Sequence, residues 1–128
     1  MKLDAIKTVV ATIGVAEANV GSAIPSNMRR VIYRWKWINT FVGANVISLK
    51  KIENGGASAL LDYGSATLVN DQLVDPEELK EDSAPLFIVE GPPDTTDPLY
   101  VGTSYIRAVA TGASMYLTIW YEDTPAPQ

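Results

Sequence analysis

The stretch of residues 28–40, MRRVIYRWKWINT, constrains the fold of this chain more than any other stretch. Read with a period of two, it separates aromatic side chains from charged ones. One side holds Val31, Tyr33, Trp35 and Trp37, and the other holds Arg34 and Lys36 between Ile32 and Ile38. At helical spacing the cations would share an arc with the aromatic rings, so no apolar stripe would form. The alternation therefore predicts a β-strand with an aromatic face and a charged face.

Alternation and turn signals continue along most of the chain. Further strands are predicted at residues 5–15, 45–53, 57–63, 86–90, 105–111 and 114–122. The sequence Asn54-Gly55-Gly56 favours positive φ angles and predicts a hairpin between two of these strands. So many short strands predict an all-β sandwich or closed barrel, with residues 1–128 as a single domain. Residues 1–23 are either its first strand or an arm that pairs with another subunit, and residues 124–128 are predicted to form an exposed tail.

The acidic segment 70–85, NDQLVDPEELKEDSAP, interrupts the strands. Asp75 suits an N-cap and Pro76 suits the first helical position. Glu77 and Glu78 would lie near the positive end of a helix dipole. We therefore expect one short acidic helical insertion here, over residues 75–82.

The composition excludes several kinds of site. The chain contains no cysteine and no histidine, so it can form neither a disulfide framework nor a thiolate or imidazole zinc site. Serine and cysteine nucleophiles activated by histidine are excluded as well. We expect no enzymatic activity, no cofactor and no metal. Four aspartates could offer oxygen ligands to Ca²⁺, but their spacing matches no EF-hand loop, so a solvated acidic loop is the preferred interpretation. They are Asp71, Asp75, Asp94 and Asp97.

The N-terminal segment resembles a secretion signal only superficially. Asp4, Lys7 and Thr8 interrupt its apolar run, so we expect it to be retained. No stretch of about 18 uncharged apolar residues is present, and we expect no membrane span.

The net charge of −5 is distributed unevenly. Residues 1–61 contain eight Lys/Arg and three acids, whereas residues 62–97 contain ten acids and one lysine. This split favours complementary contact between copies of the chain over nucleic-acid binding, because the acids would repel phosphate. Candidate interface residues are Arg30, Arg34 and Lys36 on the basic strand, Asp75 and Glu78 on the acidic segment, and Trp120.

The aromatic residues permit two interpretations. The row Tyr33, Trp35 and Trp37 fits the core of a sandwich, or alternatively a flat platform for sugar rings in a carbohydrate-binding module. The final strand is apolar or aromatic on both sides, with Trp120 on the second side. We therefore expect either a second layer or another subunit to cover Trp120.

The order of these segments resembles that of a known group of viral proteins. The similar segments are IPSNMRRVIYRWKWIN, NVISLKKIENGG, APLFIVEG, LYVGTSYIRAVATG and SMYLTIWYED. Together they resemble small jelly-roll structural proteins of tailed phages and archaeal viruses, especially capsid decoration and minor capsid proteins. The resemblance implies a jelly roll, a homotrimer, and a location in the virion. It also implies binding to the major capsid protein or virion surface.

Overall fold

The computed structural model describes residues 2–40, 43–66, 79–93, 102–112 and 115–127, and residues 72–74 for their backbone. These residues contain a 3-10 turn, Leu3–Ala5, and nine strands. The strands are β1 (Lys7–Ile13), β2 (Ala18–Val20), β3 (Met28–Asn39), β4 (Asn45–Ile52), β5 (Ala59–Ala66), β6 (Gln72–Val74), β7 (Phe87–Glu90), β8 (Tyr105–Ala110) and β9 (Met115–Pro125).

The strands form a sandwich of two antiparallel sheets. The larger sheet has the order β1-β9-β3, and β6 and β7 pair with different parts of the free edge of β3. The smaller sheet has the order β2-β8-β4-β5. The prediction of an all-β antiparallel sandwich is confirmed. Because β1 pairs with β9 of the same chain, the N-terminal segment contributes strands to its own sandwich.

Strand β3 contains a β-bulge that changes the predicted face assignment. Ile32 lies opposite Tyr121 and Arg34 lies opposite the next residue of β9, Trp120, so Tyr33 is the extra residue. The bulge reverses the phase of the alternation. Ile32 therefore belongs to the core together with Trp35 and Trp37, although strict alternation placed it on the charged face.

The core lies between the two sheets and is formed by alternate residues of both. In the larger sheet its members include Ile119 and Leu117 of β9, and in the smaller sheet Leu49 of β4 and Ala108 of β8. All four are fully buried. The regular alternation of these strands between buried and more exposed positions explains why their sequence pattern predicted them.

The hairpin between β4 and β5 is confirmed. Asn54 and Gly55 adopt positive φ angles of 50° and 72°, and β4 pairs antiparallel with β5. Such angles cost little for glycine and are tolerated by asparagine.

Two local predictions are wrong in the described part of the chain. Residues 79–82 do not form a helix: Lys80 and Ser83 close a turn by two hydrogen bonds, and residues 75–78 lie outside the described residues. Ser83 competes with a helix by bonding the Lys80 backbone N–H. At the C-terminus, Thr124 and Pro125 belong to β9 and not to a tail, because β9 pairs as far as Met28. No helix in the described ranges is long and apolar enough to span a membrane.

Candidate interaction surface and inter-sheet pocket

The outer face of the larger sheet presents three rows of side chains to solvent. We call it the outer grid; it comprises Thr8, Val10 and Thr12 of β1, Trp120, Thr118 and Tyr116 of β9, and Arg34, Lys36 and Ile38 of β3. Their neighbours along each strand face the core, so these residues point outward. Val10 is 67% exposed and Tyr116 is 48% exposed. The grid thus combines two cations with exposed apolar and aromatic side chains.

Trp120 is covered by cations of its own chain. The Arg34 guanidinium lies 4.4 Å from the centre of a Trp120 ring, and the Lys36 ammonium lies 5.5 Å from it. Such contacts stabilise both groups by about 0.5–1 kcal/mol each at exposed sites. The expected cover for Trp120 is therefore supplied in part by neighbouring side chains of β3. The candidates Arg34, Lys36 and Trp120 come together in one cluster.

Arg30 was expected on the same charged surface, but it lies inside the protein. It is only 2% exposed. Its Nε and Nη2 donate to the two carboxylate oxygens of Asp123, at 2.8 and 2.9 Å, and its Nη1 donates to the Ser22 carbonyl. The guanidinium also stacks on Tyr121, 4.4 Å from the ring centre. The bulge is the reason, since Arg30 precedes it and shares a face with Ile32.

The three aromatic residues of β3 do not form one row. Trp35 and Trp37 are 7% and 3% exposed and belong to the core, as the core interpretation predicts. The sugar platform required all three rings outside, and this requirement is not met. Tyr33, at the bulge, lies with its hydroxyl 3.5 Å from Glu122. Burial, together with the negative charge of Glu122, raises the pKa of Tyr33.

Trp35 and Trp37 reach across the sandwich to β5. The Trp35 Nε1 donates to Asp62 Oδ2 at 3.2 Å. The Trp37 indole packs directly on the backbone of Gly64, where an added Cβ would lie 2.3 Å from Trp37 Nε1. Glycine at this position is therefore required by the close approach of an indole ring from the opposite sheet.

These residues border a pocket of about 450 Å³ between the sheets. It is lined by Trp35, Trp37, Asp62, Tyr63, Gly64, Ser65 and Leu86. Tyr63 and Leu86 are 64% and 47% exposed and lie at the rim, whereas the two tryptophans form the inner wall. The volume is within the range of small-molecule sites, about 300–1,000 Å³.

In the smaller sheet, basic side chains form ion pairs with a carboxylate of the same chain. Glu17, in the turn before β2, accepts a hydrogen bond from Arg107 Nε at 2.8 Å and lies 3.2 Å from Lys50 Nζ. The hydrogen bond from Arg107, with further contributions from Lys50 and Ser58, lowers the pKa of Glu17 despite some desolvation. Other basic residues of the first half pair with acids of the same chain, as Arg29 does with Glu90 and Lys51 with Glu53. Much of the predicted charge contact is therefore satisfied within one copy.

The acidic candidates fall on residues that the structure does not describe. Asp75 and Glu78 lie outside the described residues, as do Asp71, Asp94 and Asp97. Within the described ranges, no group of three or more acidic, histidine or cysteine side chains is arranged to hold a metal ion.

Sequence reasoning missed Asp62, Gly64 and Asp123. Gly64 offered a signal, because glycine inside a strand often marks a close approach by another group. Asp62 and Asp123 offered none, since their roles depend on contacts between distant strands. Comparisons with protein-family models, curated proteins and solved structures found no match.

Proposed function

We propose that this protein is a non-enzymatic structural component of a virion. In this proposal it is a capsid decoration or minor capsid protein that forms a homotrimer and binds the major capsid protein in the assembled shell. The observation that carries the proposal is the outer grid, where the exposed Val10 and Tyr116 share a sheet face with a tryptophan covered by two cations. A surface of this composition is typical of interfaces, which are enriched in aromatic residues and arginine.

The order of the strands supports a jelly roll, a fold that capsid proteins share with some lectins. Because β6 and β7 both pair with β3, they can be counted as one position, which gives eight positions along the chain. The first position then pairs with the eighth, the second with the seventh, the third with the sixth and the fourth with the fifth. This nested pairing is the one produced when a long antiparallel hairpin folds into two sheets.

Because a fold alone does not define a function, the outer surface of the larger sheet supports the proposal more directly. The nine residues of the outer grid include Arg34 and Lys36, and its threonines and valine provide a β-branched area beside them; Glu122 follows Trp120 on the same face of β9. Exposed apolar residues gathered on one sheet face indicate a partner, since isolated exposed residues need no explanation but clusters do. A broad sheet face suits contact with a large, repeated protein surface.

Multivalency gives the physical reason for shell binding. Each copy of a trimer makes a modest contact, but on a symmetric shell the second and third contacts become intramolecular. Avidity then exceeds the single-site affinity by about 10²–10⁴. We therefore expect binding to assembled shells and far weaker binding to isolated coat subunits.

The test is co-sedimentation of the purified protein with empty shells of the virus that encodes it. Trp120→Glu and Tyr116→Glu each place a carboxylate in the outer grid and should abolish binding. Leu60→Glu is the matched control, because Leu60 is 57% exposed on β5 of the other sheet. Equal binding by the grid variants and the control would refute the proposed surface, and no binding of the unaltered protein would refute the proposed function.

Light scattering tests the trimer separately. The expected result is a mass three times that of the 13.8 kDa chain. A monomer at every concentration would overturn the avidity argument. If exposed charges contribute to assembly, salt should weaken it, because charges are screened beyond about 10 Å at 0.1 M ionic strength.

A further inference from the structure

The pocket between the sheets is lined by residues that have no part in the proposed structural role. Among the described residues that line it, Trp35 and Trp37 form an aromatic inner wall, Tyr63 lies at the rim, and Asp62 is the one charged group. We propose that this pocket binds a quaternary or fully methylated ammonium ion. This inference is independent of the virion proposal, because the pocket lies between the sheets and the outer grid lies on the opposite face of β3.

The Asp62 carboxylate is held in position but not neutralised. Its Oδ2 accepts from Trp35 Nε1 and its Oδ1 accepts from the backbone N–H of Tyr63 at 2.9 Å. No lysine or arginine in the described ranges forms an ion pair with it. Each carboxylate oxygen has a second lone pair, so the oriented negative charge can attract a cation. The pocket therefore selects positive charge over negative.

The aromatic wall selects the type of cation. A positive charge near the face of tryptophan or tyrosine is attracted by the ring quadrupole, most strongly where water is excluded. A primary ammonium has three N–H groups that must find acceptors when it loses water. Besides Asp62, the described lining side chains that offer an oxygen acceptor are Ser65 and Tyr63, and both of these residues are exposed. A quaternary ammonium has no N–H group, so it loses no hydrogen bond to water on entering such a pocket, and its weaker ionic hydration is offset by Asp62 and the aromatic wall.

The experiment is a titration with choline, observed through the three tryptophan indole N–H signals in ¹⁵N NMR spectra. Trp35 and Trp37 line the pocket and Trp120 lies outside it, so the protein contains its own internal control. We expect the signals of Trp35 and Trp37 to shift and that of Trp120 to stay. The expected dissociation constant is on the order of 1 mM, as for a small ligand with few contacts. No shift at Trp35 and Trp37 would overturn the proposal.

A neutral ligand of the same shape tests the role of charge. 3,3-Dimethylbutanol replaces the nitrogen of choline by carbon, and it should bind at least about tenfold more weakly, which corresponds to about 1.4 kcal/mol. Equal binding of the two ligands would identify an apolar pocket and overturn the proposal. Glucose serves as a second comparison, and shifts with glucose but not with choline would overturn it in favour of a sugar site.

The variant Asp62→Asn tests the carboxylate. Its amide oxygen can still accept from Trp35 Nε1, and only the bond from the Tyr63 backbone N–H to the second oxygen is lost, so the contact with the tryptophan wall is kept while the charge is removed. Choline should then bind about tenfold more weakly, for the same loss of charge attraction. Asp4→Asn is the matched control, because Asp4 is exposed in the N-terminal 3-10 turn and its change alters the net charge equally. Equal effects of the two variants would overturn the proposal.

Two sources could supply this ligand chemistry, a free small molecule or a methylated lysine side chain of a partner protein. A trimethyllysine peptide that binds more tightly than choline would support the pocket and assign the source to a protein. Tighter binding of choline would support the pocket and assign the source to a small molecule or headgroup.

Discussion

Both faces of the larger sheet hold arginine and tryptophan, in opposite surroundings. On the inner face Arg30 is buried against the Asp123 carboxylate, and Trp35 bonds Asp62 of the other sheet. On the outer face Arg34 stacks on Trp120, and both remain partly exposed. A buried charge needs its partner, because loss of water costs several kcal/mol, whereas an exposed one can exchange its contacts for water or for another protein. The inner pair is therefore structural, and the outer pair belongs to the surface that we propose for recognition.

The largest expected effect separates the two tryptophan environments. Trp35→Ala should lower the free energy of unfolding by about 3–5 kcal/mol, as truncation of a buried aromatic residue does. Trp120→Ala should cost about 1–2 kcal/mol, because it removes mainly two cation–π contacts. Lys36→Ala should cost less than about 1 kcal/mol, since only one such contact is lost. Urea denaturation measures all three, and equal losses would contradict the distinction between the faces.

The two arginine environments can be separated in the same way. Asp123→Ala leaves Arg30 buried without its carboxylate, and we expect a loss of about 3 kcal/mol. Glu90→Ala removes the partner of Arg29, where both side chains are partly exposed, and should cost about 0–1 kcal/mol. The measurement is again urea denaturation.

A cycle of substitutions sharpens this result. Replacing Arg30 and Asp123 together by leucine should lower the free energy of unfolding less than replacing Asp123 alone by leucine. In the double variant no buried charge is left uncompensated. If the double variant loses as much as the sum of the single ones, the two side chains do not act as a pair.

The strands that sequence analysis identified correctly are those whose pattern is local. In β9, Leu117 and Ile119 alternate with Thr118 and Trp120, and this alternation alone predicts which side of the strand is buried. The turn at Asn54-Gly55 likewise depends only on the φ preferences of two residues. Each of these features depends only on residues within a few positions of one another, and neither depends on which strand pairs with it.

The errors arise where distant strands decide the outcome. The bulge at Tyr33 exists only because β3 pairs with β9, and it reverses which residues face inward. Arg30 was assigned to the surface because its partner, Asp123, lies 93 positions away. The pocket likewise depends on how β3 packs against β5, which no alternation within either strand encodes. Sequence analysis therefore identified Arg34, Lys36 and Trp120 as candidates, but not the contacts that bring them together.

A smaller effect is expected at Gly64, where the inner face meets the pocket. Gly64→Ala places a Cβ inside the Trp37 indole, so the ring must move and the unfolding free energy should fall by about 1–3 kcal/mol. Gly14→Ala is the matched control, because no atom lies within 4 Å of an added Cβ there. It should be neutral or stabilising by up to about 1 kcal/mol. Equal losses at both glycines would show that the Trp37 contact is unimportant.

The smallest expected effect compares the outer faces of the two sheets by acid titration. The pKa of Glu17 is lowered by the hydrogen bond from Arg107, and so folding favours the ionised carboxyl. The stability that this ionised carboxyl contributes is fully present above the pKa of glutamate in the unfolded chain, about 4.3. It is lost as the pH falls through the lower pKa of Glu17 in the folded state. The contacts of Trp120 with Arg34 and Lys36 involve no carboxyl group, so they should persist in acid. The unfolding free energy of Glu17→Gln should therefore lie about 0.5 kcal/mol below that of the unaltered protein at neutral pH, as for exposed ion pairs.

The unfolding free energies of Glu17→Gln and the unaltered protein should converge in acid, whereas the deficit of Trp120→Ala should stay constant. Urea denaturation at a series of pH values measures both differences, and a Glu17→Gln deficit that does not change with pH would contradict the role assigned to the Arg107 hydrogen bond.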